Sequence, residues 1–291
     1  VPSARKQSPS ILTVPAFSQI PWLVQGFSTR KGGFSTGYGG HSLNLGFTKN
    51  DLHATVERNR AAFERKVGAV DGRKIWPLVT LRQIHSDLVY CVSKPSQAQL
   101  AGDGLITDTP GILLGIQTAD CLPVVLVDVR RRAVGVFHAG WRGTIKRIVE
   151  KGVGEMRGWF GTRPRDIKAA IGPGIHGCCY QVGEEVRLNF ESQFAYATEL
   201  FREVKESDPV REKYPLLFLT ARAPGHGELP TNIFLDLVEA NRRQLMDAGV
   251  PARNIFASPL CTSCRTDLLF SHRAEKGVTG RLMAAAGIRP K

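Results

Sequence analysis

Residues 102–143 of this chain read GDGLITDTPGILLGIQTADCLPVVLVDVRRRAVGVFHAGWRG. Three apolar runs, 112–117, 124–129 and 133–138, are too short for ordinary helices, rich in Val, Ile and Leu, and bounded by turn residues. Such runs form buried strands, and the turn Arg130-Arg131-Arg132 divides the last two. Cys121 stands beside these runs, two residues after Ala119, and His138 ends the last of them, followed by Ala139 and Gly140. A fold organised around this stretch buries a sheet and brings a thiol and an imidazole to strand ends, where sites are commonly built.

The flanking sequence supplies helices and more strands. A cap at Asn50 or Asp51, with Val56, Phe63 and Val67 at helical spacing, predicts a helix over about 52–67. Residues 78–84 and 88–92 are strand-like and separated by His85-Ser86-Asp87, which puts His85 at a strand end or turn. The apolar stripe Ile145, Ile148, Val149, Val153, Met156 and Phe160 predicts a helix over about 144–160, stopped by Gly161 and Pro164. Residues 167–171 predict a strand feeding the loop 172–180, and Val182, Val186, Phe190 and Phe194 mark a further helix. The segment 200–232 reads as irregular, with APGHGELP at 223–230 a loop. A helix over about 234–248, a last strand beginning at 255–257 and a short apolar tail complete the chain. With no repeat and no compositional break, the expected fold is a single α/β domain.

Composition narrows the function classes. A formal charge of +13 attracts anions, but the 39 Lys and Arg are scattered in ones and twos, against a nucleic-acid interface. The longest apolar runs fall far short of the roughly 18 residues that span a bilayer, so no membrane partner is expected. Six cysteines in a chain of 291 residues do not form a secreted disulfide framework, which points to a reducing compartment, the cytoplasm. Residues 1–22 are expected to form a flexible basic arm and 23–291 the folded domain. The first fifty residues lack Asp and Glu, a feature shared with the tails of organelle transit peptides.

Three chemistries compete for the reactive residues. His85, Cys121 and His138 supply two imidazoles and a thiolate, a set that suits tetrahedral Zn²⁺ with one open position. Alternatively Cys121 is a nucleophile, His138 its base, and Asp120 or His85 the orienting group. A rival structural zinc would use Cys178, Cys179, Cys261 and Cys264, although an adjacent cysteine pair is a poor substitute for a second C-x-x-C. Cys261 and Cys264 also have the spacing of a redox dithiol.

The segments FSTRKGG, SLNLG, RQIHSD, GDGLIT, TADCLPVVLVD, FHAGWRGT, IGPGIHGCCYQVG and FSHRAEKGVTGR, in this order, closely resemble the YfiH family, also called the laccase-domain or multicopper polyphenol oxidase family. The resemblance runs from about residue 24 to the C-terminus. It implies a single domain of mixed β-sheets flanked by helices, with zinc held by His85, Cys121 and His138. It further implies a purine nucleoside phosphorylase that cleaves adenosine, inosine and S-methyl-5'-thioadenosine with phosphate, with adenosine deaminase activity as well. The oxidase name is a competing implication, but seven isolated histidines with no His-x-His pair are a poor source for a multicopper cluster. A metal-stabilised binding protein without catalysis is the third possibility.

Phosphorolysis asks for an anion clamp, and Arg30, Arg142 and Arg273 are the candidates because guanidinium forks match phosphate oxygens. Asn44 is a candidate for ribose hydroxyls or the purine edge, or closes its own turn. Asp120 is the acid best placed to shuttle a proton in deamination, or else it orients His85 or His138. The expected partners are a purine nucleoside and phosphate, with the chain a monomer or weak homodimer.

Overall fold

In the computed structural model, which describes residues 8–95, 100–205 and 231–291, the three apolar runs become consecutive strands that belong to two different sheets. The chain divides into two compact units, one of Val1–Ile175 with Leu237–Lys291, the other of His176–Asp236. The first unit opens with β1 (Ile11–Leu12), β2 (Leu23–Ser28), β3 (Lys31–Ser35), α1 (His53–Val67), β4 (Val70–Asp71), β5 (Lys74–Ile75) and β6 (Leu78–Val79). It continues through β7 (Val89–Cys91), β8 (Gly104–Thr107), β9 (Leu113–Thr118), β10 (Leu122–Asp128), β11 (Ala133–Ala139), α2 (Trp141–Ile145), α3 (Ile148–Phe160) and β12 (Ile167–Ile171). The second unit holds β13 (Gln181–Val182), α4 (Glu184–Glu191), β14 (Phe201–Lys205) and β15 (Thr231–Leu235), its strands paired antiparallel in the order β13-β15-β14. The chain then returns to the first unit with α5 (Leu237–Asp247), β16 (Ile255–Ala257) and β17 (Leu282–Ile288).

Two sheets build the first unit, one in the order β1-β2-β17-β9-β6 and one in the order β16-β12-β10-β11-β8-β7. Both are mixed: β6–β9, β7–β8 and β12–β16 pair parallel and the other neighbours antiparallel. The period of two explains how they stack. Ala284, Ala286 and Ile288 of β17 point into one core with Val125, Val127, Val134 and Val136 of the facing sheet, while Met283 and Ala285 point the other way, onto Phe63 and Val67 of α1. The outer face of the second sheet is covered by α3. Gly152 lies so close to the Phe137 ring that a Cβ there would stand 2.4 Å from it.

The α/β class with mixed sheets flanked by helices agrees with the expectation, and several elements differ. The apolar tail is β17, the central strand of its sheet. The helix expected over 144–160 is broken at Arg147, whose φ of 62° is left-handed, giving α2 and α3. The helix expected from 234 starts at Leu237, because Thr231–Leu235 is a strand. Residues 78–84 and 88–92 keep only short strands at β6 and β7. Residues 8–22, assigned to a flexible arm, instead pair Ile11 with Ser28 and bury Phe17 and Ile20 in the main core. The loop expected at 223–230 lies outside the described residues, as do residues 1–7. Among the described residues no helix is long and apolar enough to cross a membrane.

Candidate metal centre

Two crossings between the sheets converge at one end of the sandwich. The chain passes from β6 to β7 through His85 and from β9 to β10 through Asp120-Cys121, and β11 ends at His138 and Ala139. His85 has a φ of 56° and Asp120 a φ of 94°, left-handed values that cost non-glycine residues free energy and mark backbone held by its surroundings. The ligand atoms of His85, Cys121 and His138 all lie within 4.8 Å of one another. Cys121 Sγ is 3.9 Å from His85 Nε2, and the two imidazoles meet edge to face at 4.9 Å between centroids. Gly140 permits this packing: a Cβ there would lie 2.8 Å from Cys121 Sγ and 3.0 Å from His85 Cδ2.

The group that organises the trio is Asp103, which is fully buried. Its carboxylate accepts backbone N–H bonds from Ile84 at 3.2 Å, His85 at 3.1 Å and Ser86 at 2.6 Å, and the Ser86 hydroxyl at 2.7 Å. It also meets His138 Nδ1 at 2.8 Å. One carboxylate thus fixes the strained His85 turn and the His138 ring, leaving His138 Nε2 for a ligand. Burial pushes Asp103 up, but the hydrogen bonds from His138 and Ser86 outweigh it and hold the carboxyl at about 2. Burial likewise raises the Cys121 thiol, yet the facing His138 and His85 bring it down to about 6. Burial lowers His138, and the Cys121 thiolate with Asp103 reverses this to about 9. Without a metal, the thiolate and imidazolium charges stabilise each other.

The other expected site residues lie as follows. Arg142, exposed in the first turn of α2 two residues from Gly140, places its guanidinium 4.3 Å from the Trp141 ring centroid. Arg30 donates to the carbonyls of Thr266 at 2.6 Å and Tyr38 at 3.0 Å and pairs with Glu275 at 3.1 Å, so its fork holds three chain segments together. Asn44 is fully buried; its amide bonds Gly46, Thr48 and Asp51, and its carbonyl accepts from Gly46 and Arg281. Arg273 is exposed, and its backbone N–H reaches Asp120 at 2.6 Å. The Asp120 carboxylate is taken up by Thr262, Ser271 and Arg273, and the acid that contacts His138 is Asp103. Of the rival cysteines, Cys261 and Cys264 belong to the first unit and Cys178 and Cys179 to the second. Asp103 escaped the sequence reading because a single acid between two glycines has no periodicity. Its one signal is the presence of GDG shortly before the strand runs.

The donor set passes a test of fit for a tetrahedral ion. Two imidazoles and a low-pKa thiol are matched ligands for zinc, and three donors leave a position open. The family model described as multi-copper polyphenol oxidoreductase laccase matches residues 24–289. Among relatives, the purine nucleoside phosphorylase YlmD of Geobacillus stearothermophilus is 40% identical over 64% of this chain, which spans 60% of that protein. YlmD of Bacillus subtilis, also named a purine nucleoside phosphorylase, is 31% identical over 92% of this chain and 89% of its own. A protein named adenosine deaminase RL5, from an unknown prokaryotic organism, is 38% identical over 67% of this chain and 69% of its own. The crystal structure of the YfiH protein of Bacillus licheniformis superposes with a TM-score of 0.79 at 32% identity, covering 98% of both chains.

Proposed function

Because the chain belongs to the family described as multi-copper polyphenol oxidoreductase laccase, with relatives named for purine nucleoside chemistry, we propose that it is a zinc-dependent purine nucleoside phosphorylase. Its proposed substrates are adenosine, inosine and S-methyl-5'-thioadenosine, and it also deaminates adenosine. The observation that carries this reading is the convergence of His85, Cys121 and His138 with one coordination position to spare. Copper oxidation is the weaker alternative, because a multicopper cluster needs more imidazoles than this pair.

A bound zinc would supply Lewis-acid polarisation, or water with a pKa near 7. The chain's own residues set the conditions for that chemistry. Asp103 stays ionised, holds the His138 tautomer through Nδ1 and offsets the positive charge of the site. Cys121 is a thiolate at neutral pH and completes the donor set. In phosphorolysis a phosphate oxygen forms a bond to ribose C1' while the bond from C1' to the purine nitrogen breaks, and that electron pair leaves with the base. Arg142, exposed two residues beyond Gly140, is assigned to the phosphate because a guanidinium fork matches phosphate oxygens, with Arg273 as a second anion contact.

The test is to incubate protein of known metal content with adenosine and phosphate and to follow the products. Adenine with ribose 1-phosphate reports phosphorolysis, inosine reports deamination, and hypoxanthine reports the two in sequence. Cys121→Ala is expected to lose metal and both activities together while remaining folded. Full activity in a metal-free variant overturns the zinc mechanism. Copper-dependent phenol oxidation without nucleoside turnover restores the oxidase reading, and no turnover of either kind leaves a metal-stabilised binding protein.

A further inference from the structure

Asp120 stands next to Cys121 in a left-handed conformation, and its carboxylate is taken up by groups other than His85, Cys121 and His138. Oδ1 accepts the hydroxyls of Thr262 at 2.6 Å and Ser271 at 2.7 Å, and Oδ2 accepts the backbone N–H of Arg273 at 2.6 Å. Its carbonyl oxygen accepts Ile175 N–H at 2.7 Å, and Gly174 approaches so closely that a Cβ there would be 2.9 Å from that oxygen. Thr262 and Ser271 are fully buried and Asp120 nearly so. The partners are themselves secured. Ser271 Oγ accepts Ala274 N–H at 3.1 Å, Ser271 N–H reaches Glu275 at 3.0 Å, and Glu275 pairs with Arg30. Thr262 N–H is bonded to Gly174 O at 2.9 Å.

These contacts use the Asp120 carboxylate in a way that a proton shuttle would not. A shuttle faces the substrate and exchanges its proton there; Oδ1 of this carboxylate instead faces the buried hydroxyls of Thr262 and Ser271, more than 140 residues downstream in sequence. We propose that Asp120 is a positioning residue: it anchors the 262–275 segment to the turn that presents Cys121, and so holds the thiolate where the two imidazoles can share a metal with it. The left-handed φ is the conformation this requires, since the chain must leave β9 in one sheet and enter β10 in the other within three residues. The same anchor fixes the backbone of Arg273, so the metal ligand and one proposed anion contact are set by a single carboxylate. The inference deepens the zinc phosphorylase reading and rests on it for the identity of the reaction and of the metal.

The test reads metal release directly. Protein loaded with Zn²⁺ is mixed with a chromophoric chelator, and the release rate is followed for wild type, Asp120→Asn, Thr262→Val and Ser271→Ala. Loss of partners that only orient a ligand weakens metal sites roughly 10- to 100-fold. Asp120→Asn is therefore expected to release zinc on the order of ten times faster or more, with Thr262→Val and Ser271→Ala showing smaller increases. Asp120→Ala combined with Ser271→Ala should be no faster than Asp120→Ala alone, because the first change already removes the acceptor of the Ser271 hydroxyl. In Co²⁺-loaded protein the same variants should shift the visible d–d bands. Phosphorolysis and deamination should fall in parallel. Wild-type metal release and spectra in all three single variants overturn the proposal. So does selective loss of deamination in Asp120→Asn with phosphorolysis and metal intact, which makes it the shuttle. If Asp120→Asn does not fold, the two hydroxyl variants decide alone. If wild type turns over no nucleoside, the function fails while the metal-release result still judges Asp120.

Discussion

Asp103 accepts bonds from three consecutive backbone N–H groups, a hydroxyl and an imidazole with no surface of its own exposed. A carboxyl held at about 2 when folded and near 3.9 when unfolded binds its proton more readily unfolded. The resulting stability is fully present above about pH 4 and is lost as pH falls through about 2; it amounts to about 2 kcal/mol. Urea unfolding of metal-free protein in steps from pH 5 to pH 2 should show wild type losing about 2 kcal/mol more than Asp103→Asn over that window. Equal slopes would mean that Asp103 is not held in its charged form. At this scale the candidate trio His85, Cys121 and His138 is legible because each is a reactive residue at the end of an apolar run. Asn44 closes its own turn through Gly46, one of the two roles its sequence neighbourhood suggests, whereas the distant partners of Arg30 and Asn44, Thr266 and Arg281, lie 236 and 237 residues away. No local pattern encodes such a pairing.

Among the helices, α3 shows how packing overrides propensity. Glycine inside a helix ordinarily costs about 1 kcal/mol relative to alanine, and α3 contains Gly152, Gly154 and Gly158. A Cβ at Gly152 would stand 2.4 and 2.5 Å from the Phe137 ring, while nothing lies within 4 Å of one at Gly154 or Gly158. Gly152→Ala should therefore destabilise the protein by about 1–3 kcal/mol through overpacking. Gly154→Ala and Gly158→Ala should stabilise it by up to about 1 kcal/mol. Thermal unfolding of the three variants checks the sign in each case, and a stabilising Gly152→Ala would contradict the close approach of α3 to β11. The helical periodicity of residues 144–160 correctly located an apolar stripe but hid the break at Arg147, since a left-handed residue leaves no mark on the spacing of its neighbours.

On the scale of the whole molecule, β17 closes the fold: it lies between β2 and β9 in its sheet and contributes to the cores on both faces. A chain ending at Arg281 should be unable to complete either core, and circular dichroism with proteolysis should find it unfolded. A stable, cooperative, zinc-binding product would contradict the central role of this strand. Read as a tail, Leu282–Ile288 is a run of small residues with good helix propensity, and only burial on two faces makes it a strand. The sequence by itself determined the α/β class, the buried strands from β9 to β12, the helix α1, and the position of the three candidate donors His85, Cys121 and His138 at strand ends. Those features are set by periodicity and by chemistry within one segment. Only the tertiary structure decided that β9 and β10 enter different sheets, that Asp103 holds His85 and His138, and that Asp120 faces Thr262 and Ser271. Each of those outcomes depends on groups far apart in the chain meeting in a dry interior, where a buried carboxylate must find its donors wherever the fold brings them.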